Sequence, residues 1–323
     1  MLFVYALRNG GLVRVALPAG SAPPAEALWI DLFEPGIEEE HAVETGLGID
    51  VPTREEMREI ESSNRLYEEG GAVYLTCTIV TKLDTDLPQN AQVTFILKDG
   101  RLVTNRYTDP LPFRRYVAYA ERHGASCNAG PAILAGLVEA IVNRIADVIE
   151  RVGSDLDTVS AEVFSHPHRR RGRRDFREVL EAVGRSGELI AKTRESLMSL
   201  GRLLAFVQQS ALVALTPEVR TRLRTLSRDV IAMSDHASFL GNNVSFVLDA
   251  TLGMINIDQN NILKIFSVVT VFLLPPSVIG AIYGMNFDHI PWAHESWGFL
   301  AALGLMLMSA LIPYLIFKRR GWL

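Results

Sequence analysis

Residues 255–287 read INIDQNNILKIFSVVTVFLLPPSVIGAIYGMNF, and this stretch decides the architecture. No charged residue occurs from Ile265 to Phe287, a run longer than the ~20 residues a helix needs to cross a bilayer. A second uncharged run extends from Ser296 to Phe317. Two such runs so close together leave little polar surface to cover a soluble core, so both read as membrane spans. The first run carries the paired prolines Pro275 and Pro276, and helix breaks of this kind are tolerated in membrane segments. It stops on Gly284, Met285 and Asn286, where an ordinary span carries aromatic and basic anchors.

The flanking charges give an orientation. Lys264 precedes the first span, and Lys318, Arg319 and Arg320 follow the second. The loop between them, DHIPWAHES, has only Asp288 and Glu295 as fixed charges. The positive-inside rule then places both termini in the cytoplasm and the short loop outside. The N-terminal MLFVYALRNGG lacks a basic region followed by an apolar one and a cleavage site, so it reads as a strand and not a signal peptide. A formal net charge of −5 argues against a general nucleic-acid surface. Cys77 and Cys127 have no metal-type spacing and read as reduced thiols.

Upstream, the pattern changes twice. LFVYAL and LVRVAL flank a glycine turn and predict a β-hairpin. LWIDLF predicts a further strand, GIEEEHAVETGL an acidic helix, and AVYLTCTIVTK with AQVTFIL and RLVTNRY three more strands. From Pro131 apolar residues recur at helical spacing, and a second helix is expected from about Asp175 to Ala214. Between them lies HPHRRRGRR, residues 166–174, with five arginines. It reads as a solvated helix connection or as a patch for polyphosphate, lipid or nucleic acid. Thr216-Pro217-Glu218 is a helix start. No strong breaker follows before the paired prolines, so one helix from about Pro217 to Met285 is expected, roughly 100 Å long at ~1.5 Å per residue. The fold class is α+β with a mixed sheet, then a long helical stalk and two transmembrane helices. The expected divisions are 1–130, 131–261 and 262–323.

Steps of four and three from Asp249 trace one face of the long helix. It reads Asp249, Gly253, Asn256, Asn260, Leu263, Ser267, Thr270, Leu274, Ser277, Ala281 and Gly284. The flanks carry Ile262, Ile265, Phe266, Val271 and Phe272. A lipid-facing helix reverses that arrangement; small and polar groups face other helices or water. Tight helix packing and a pore both suit the stripe, and its oxygen-bearing continuation through Asp249, Asn256 and Asn260 favours the pore. Identical helices around an axis turn each position into a ring. Carboxylate and amide oxygens suit hard cations, and leucine rings make hydrophobic constrictions. Two spans per chain are too few to enclose a channel, so an oligomer is required. Gly284 and Asn286 are residues that end a helix in the left-handed region, either as a plain cap or with the asparagine amide as a cation ligand.

These residues resemble the CorA family of magnesium transporters, whose signature is the Gly-Met-Asn triplet, here Gly284, Met285 and Asn286. PYLIFKRRGWL is similar to the family's basic C-terminal ending, and WIDLFEP, PTREEMREIE and AQVTFIL extend a weaker likeness upstream. The resemblance implies a funnel-shaped homopentamer in a bacterial-type inner membrane, with no organic cofactor. Hydrated Mg²⁺ is caught by the triplet ring, and Co²⁺ and Ni²⁺ are also carried. It further implies gating by cytosolic Mg²⁺ bound between subunits, with Asp84 or Asp86 as one partner and Asp229 or Asp235 as the other. Thr225 stands where one family acid falls. The family's outer loop often reads Met-Pro-Glu-Leu, whereas Ile290, Pro291, Trp292 and Ala293 stand here, leaving Asp288 and Glu295 to attract cations.

Two other readings compete. A zinc-transporting branch of the same superfamily shares the triplet, and His289 and His294 suit a softer metal. A membrane-anchored coiled-coil scaffold predicts bulky apolar residues on the stripe, which is small and polar instead. An enzyme is the least supported class: the chain shows no Gly-rich phosphate loop, metalloprotease helix or nucleophile-base spacing.

Overall fold

The computed structural model describes all residues except 9, 19, 60, 84, 86–87, 165–175, 286–289, 293–294 and 321–323, and the side chains of 62 and 125. The arginine run of 166–174 lies outside the described residues. The chain divides into two compact units, Met1–Leu248 and Asp249–Leu323.

In the first unit, seven strands among the described residues form one sheet: β1 (Leu2–Arg8), β2 (Gly11–Val15), β3 (Ala27–Phe33), β4 (Leu66–Glu69), β5 (Ala72–Thr81), β6 (Gln89–Lys98) and β7 (Arg101–Arg106). Their order is β2-β1-β3-β7-β6-β5-β4. β3 and β7 pair in parallel, with Asp31 opposite Thr104 and Phe33 opposite Arg106. The other pairings are antiparallel. The hairpin expected at the N-terminus is β1–β2, with Tyr5 opposite Arg14. β6 and β7 turn through Asp99 and Gly100, whose φ of 49° and 74° both lie in the left-handed region. A two-residue turn of this kind needs positive φ at both positions, and Asp-Gly supplies it at small steric cost.

Register sorts the side chains. Leu75 opposes Phe95 and Tyr74 opposes Ile96. Leu75 and Phe95 enter one core with Trp29 and Leu102, while Tyr74 and Ile96 enter a second with Ile30, Val43 and Val103. Both faces of β5 are therefore covered, and every residue along it is buried. Helix α1 (Ile37–Leu47) supplies Val43 to the second core. Three elements escaped the sequence reading: the short neighbours α2 (Ser62–Arg65) and β4, and α3 (Leu111–Ala120), which brings Phe113 and Tyr116 to the first core.

Helices α4 (Gly130–Phe164) and α5 (Phe176–Gln209) follow. α5 ends earlier than the expected Ala214. The amide of Leu212 donates to Ser210 Oγ at 3.2 Å, an alternative to the helical bond, and Val213 turns into the core. The long helix α6 runs Pro217–Tyr283. The Val219 amide donates to Thr216 Oγ1 at 3.3 Å, the cap anticipated from Thr216-Pro217-Glu218. Leu223, Leu226, Val230, Ala237 and Leu240 of α6 join Leu197, Leu200 and Leu204 of α5 and Val148 of α4. Arg222 of α6 pairs with Glu139 of α4, and Gln208 Nε2 of α5 donates to Ser227 Oγ at 2.9 Å.

A buried ion pair ties the parallel strands. Arg106 reaches Asp31 at 2.8 Å, with side chains only 7% and 3% exposed. Thr104 Oγ1 donates to Asp31 at 2.7 Å and accepts from Trp29 Nε1 at 3.0 Å. Arg106 also donates to the Thr108 carbonyl at 2.7 Å. Burial opposes the charge on Arg106, but the hydrogen bond and charge of Asp31 hold its pKa above the ordinary value.

In the second unit, the last part of α6 packs against α7 (Gly298–Arg319). Phe272 meets Tyr314 edge-on, with ring centroids 6.3 Å apart. A Cβ added at Gly280 would lie 3.3 Å from Met306 Cε. Both helices are long and apolar enough to cross a membrane. Pro275 and Pro276 lie inside α6 and Pro313 inside α7, each removing one helical donor. Before α7, Trp292 has φ 62°, and its carbonyl oxygen would sit 1.9 Å from a Cβ at Gly298, so only glycine fits there.

Three outcomes follow from this packing. Asp31→Ala removes the buried partner of Arg106 and leaves it only the half-exposed Asp109 at 3.2 Å, and should cost about 3 kcal/mol. Glu26→Ala, at the exposed Arg8–Glu26 pair, should stay within about 1 kcal/mol; thermal unfolding compares the two. Gly280→Leu should lose about 1–3 kcal/mol through overpacking against Met306, with Gly280→Ala nearly silent in the same melts. Burial pushes the Cys77 thiol up to about 12. A folded pKa above the unfolded value contributes stability that is complete below about 8.5 and lost as pH rises through the folded pKa. Native protein should therefore resist alkylation at Cys77 at pH 8, and its melting temperature should fall as the solution is made strongly alkaline.

Candidate ion pathway

All eleven stripe residues lie in the second unit, and each is exposed: Asp249, Gly253, Asn256, Asn260, Leu263, Ser267, Thr270, Leu274, Ser277, Ala281 and Gly284. From Ile265 to Tyr283 the partly covered residues of the same helix are Val268, Pro275, Pro276, Ile279, Gly280 and Tyr283. At ~3.6 residues per turn these two sets lie on opposite sides of α6. The contacts to Tyr314 and Met306 are on the covered side. α7 therefore occupies the face opposite the stripe and leaves the stripe open.

The polar side chains of the stripe share one chemistry. Thr270 Oγ1 donates to the Phe266 carbonyl at 2.8 Å, and Ser277 Oγ donates to the Leu273 carbonyl at 2.7 Å. Each hydroxyl spends its only hydrogen inside the helix and presents lone pairs outward. Asn256 and Asn260 are exposed, with no side-chain hydrogen bond among the described residues. Asp249 adds a carboxylate at one end. Leu263 and Leu274, 62% and 56% exposed, punctuate this run of acceptors with apolar steps. A metal ion whose bound waters point their hydrogens outward is complementary to such a surface, because acceptors can take those hydrogens without stripping the waters.

The end of α6 departs from expectation. Gly284 is not in the left-handed region. Its amide donates to the carbonyls of Gly280 at 3.0 Å and Ala281 at 3.2 Å, and the Met285 amide donates to the Ile282 carbonyl at 3.2 Å. The helix closes by a tightening right-handed turn, which leaves Gly284 without a conformational need to be glycine. Among the described residues the nearest atoms to a Cβ there are helix carbonyl oxygens at 3.3 and 3.6 Å. The glycine leaves the backbone bare at the end of the stripe.

Met285 is 48% exposed beside it. Asn286 and Asp288 lie outside the described residues, as do His289 and His294. Glu295 is exposed, and its amide donates to the Trp292 carbonyl at 3.2 Å. Asp229 and Asp235 are exposed on α6, and Asp84 and Asp86 lie outside the described residues. The described residues of a single chain contain no group of three or more His, Cys, Asp or Glu placed to hold a metal. The contacts that seat α7 opposite the stripe, through Tyr314 and Met306, were not read from the sequence.

Comparison with known proteins gives the family. Residues 24–319 match the family model for CorA-like Mg²⁺ transporter proteins. The magnesium transport protein CorA of Pasteurella multocida is 35% identical over 325 residues, covering 100% of both chains. That of Escherichia coli K12 is 34% identical over 323 residues, again covering 100% of both. The complete structure of the CorA magnesium transporter from Methanocaldococcus jannaschii superimposes with a TM-score of 0.77 at 20% identity, covering 100% of this chain and 99% of that one. The cytoplasmic domain of ZntB from Vibrio parahaemolyticus shares the fold over 80% of this chain and 98% of its own, with a TM-score of 0.55 at 11% identity. On the family match and the full-length relatives, the chain belongs to the CorA family of magnesium transporters.

Proposed function

We propose that this chain forms a homopentamer in a bacterial-type inner membrane, with its termini in the cytoplasm, and admits hydrated Mg²⁺ along the α6 stripe. The observation that carries this reading is the small, acceptor-rich face of α6 that lies opposite α7. Five copies around an axis turn Asn260, Ser267, Thr270 and Ser277 into rings of lone pairs. Mg²⁺ dehydrates reluctantly, so rings that accept hydrogen bonds from its waters suit it better than a close-fitting cage. Leu263 and Leu274 become apolar rings that close the pathway by dewetting. Gly284, Met285 and Asn286 form the outer filter, and Asp288 and Glu295 attract cations to it. Asp249 and Asn256 extend the acceptor surface at the other end. Co²⁺ and Ni²⁺ share the route. Cytosolic Mg²⁺ bound between subunits holds the pathway shut, with Asp84 or Asp86 facing Asp229 or Asp235 of a neighbour.

Uptake into liposomes, with Mg²⁺ and Zn²⁺ indicators run in parallel, tests this. Asn286→Ala should lower Mg²⁺ entry by at least roughly tenfold, the value of one lost hydrogen bond to a charged species. Thr270→Val keeps the shape but removes the outward lone pairs, and should lower flux without lowering the melting temperature. Leu274→Ser should raise basal flux by wetting the constriction. Mg²⁺ entry should be indifferent to an imposed proton gradient. Zn²⁺ entry that follows the proton gradient, with little Mg²⁺ flux, would refute the reading in favour of the zinc branch.

A further inference from the structure

Trp292 and Trp297 are the two exposed tryptophans among the described residues, 47% and 49% exposed, and both lie in the segment that joins α6 to α7. Their ring centroids are 5.7 Å apart, with the planes tilted by 40°. The backbone sets this pairing. Trp292 has φ 62°, a left-handed value uncommon for a bulky side chain, and its carbonyl accepts from the Glu295 amide at 3.2 Å. The Glu295 carbonyl in turn accepts from the Gly298 amide at 2.9 Å, which folds the segment back onto the start of α7. Trp297 stands just before that helix, and its carbonyl accepts from the Ala301 amide at 3.0 Å. Neither indole N–H has a hydrogen-bond partner among the described residues.

An indole is apolar over its rings and donates one hydrogen bond through its nitrogen. Water satisfies the N–H but not the rings, and a hydrocarbon phase does the reverse. The ester and phosphate layer of a bilayer does both, which is why tryptophan concentrates there. The exposed apolar surface also runs on from Trp297 through Phe299 and Leu300 of α7, 77% and 67% exposed. Trp297 and Tyr314 lie roughly 26 Å apart along α7 at ~1.5 Å per residue. Lys318, with its ammonium 5.9 Å from the Tyr314 ring centroid, is one turn further. Together these positions bracket a hydrocarbon core of about 30 Å. Glu295 carries the one charge among the described residues of the segment, so no cation of the segment covers either ring.

We infer that Trp292 and Trp297 form a docking surface for the phospholipid interface of the outer leaflet, with their rings among the upper acyl chains and their N–H groups on lipid ester or phosphate oxygens. The pair fastens the start of α7 at a fixed depth, as Tyr314 and Lys318 fasten its other end. This inference rests on the membrane reading above, with its outward-facing loop.

Tryptophan fluorescence of the full chain in phosphatidylcholine vesicles tests it, with acyl chains brominated either near the headgroup or near the methyl end as quenchers. The difference between the parent and a Trp292→Phe, Trp297→Phe double variant isolates the loop signal, because Trp29 and Trp322 are common to both. Bromines near the headgroup should quench that signal at least about twofold more than deep ones, as an interfacial position requires, and aqueous iodide should not reach it. Leu307→Trp in the double variant, at an exposed position midway along α7, should be quenched best by deep bromines. If no bromine quenches Leu307→Trp, α7 does not cross the bilayer, and the membrane reading falls together with this inference. If Leu307→Trp is quenched while the loop signal answers to iodide, the two tryptophans lie in water. A loop signal that answers to neither quencher places them against a neighbouring copy, and one that answers best to deep bromines sinks them in hydrocarbon. Each of these last three results overturns the inference and leaves the membrane reading in place.

Discussion

The structure depends on a helix keeping its backbone hydrogen bonds within itself. Only such an element can pass from a polar domain into an apolar segment without exposing amides and carbonyls. α6 does this over 67 residues, Pro217–Tyr283, and its side chains alone change along the way. In the first unit Leu223, Leu226, Val230, Ala237 and Leu240 are buried against α4 and α5. In the second, the face bearing Val268, Pro275, Ile279 and Tyr283 is partly covered and the opposite one is open. Pro275 and Pro276 interrupt the internal bonding without ending the helix.

The sheet unit solves a different problem. Its central strands β3, β5 and β7 are largely buried on both faces, so charge within them has to be paired. Asp31 lies within β3 and Arg106 at the end of its parallel neighbour β7, and register brings them together. Thr104 and Trp29 complete the hydrogen bonding, which makes the pair tolerable in a place where lone charges are not.

Gly284 shows how a correct motif can carry the wrong local explanation. A glycine at a helix end suggests a left-handed cap, yet the amide of Gly284 stays within the right-handed turn. What the glycine does there is leave the backbone bare at the end of the stripe, and its own backbone conformation does not require it.

Much was legible in the sequence because it depends on local periods and local chemistry. The period of α6 placed Asp249 through Gly284 on one face, and the uncharged runs marked two spans. The glycine turn between LFVYAL and LVRVAL marked the first hairpin. Thr216-Pro217 marked the start of the long helix. Other features depended on long-range partners. The parallel pairing of β3 with β7, and with it the Asp31–Arg106 pair, joins residues 75 apart in sequence. β4 was missed because four residues carry too little pattern, and α5 stopped early because Ser210 offered Leu212 another bond. The sequence by itself determined which face of α6 is small and polar, because helical period is a property of the chain. Only the tertiary structure decided that this face stays open, because α7 packs on the other side through Tyr314 and Met306, and that contact is written in no single segment.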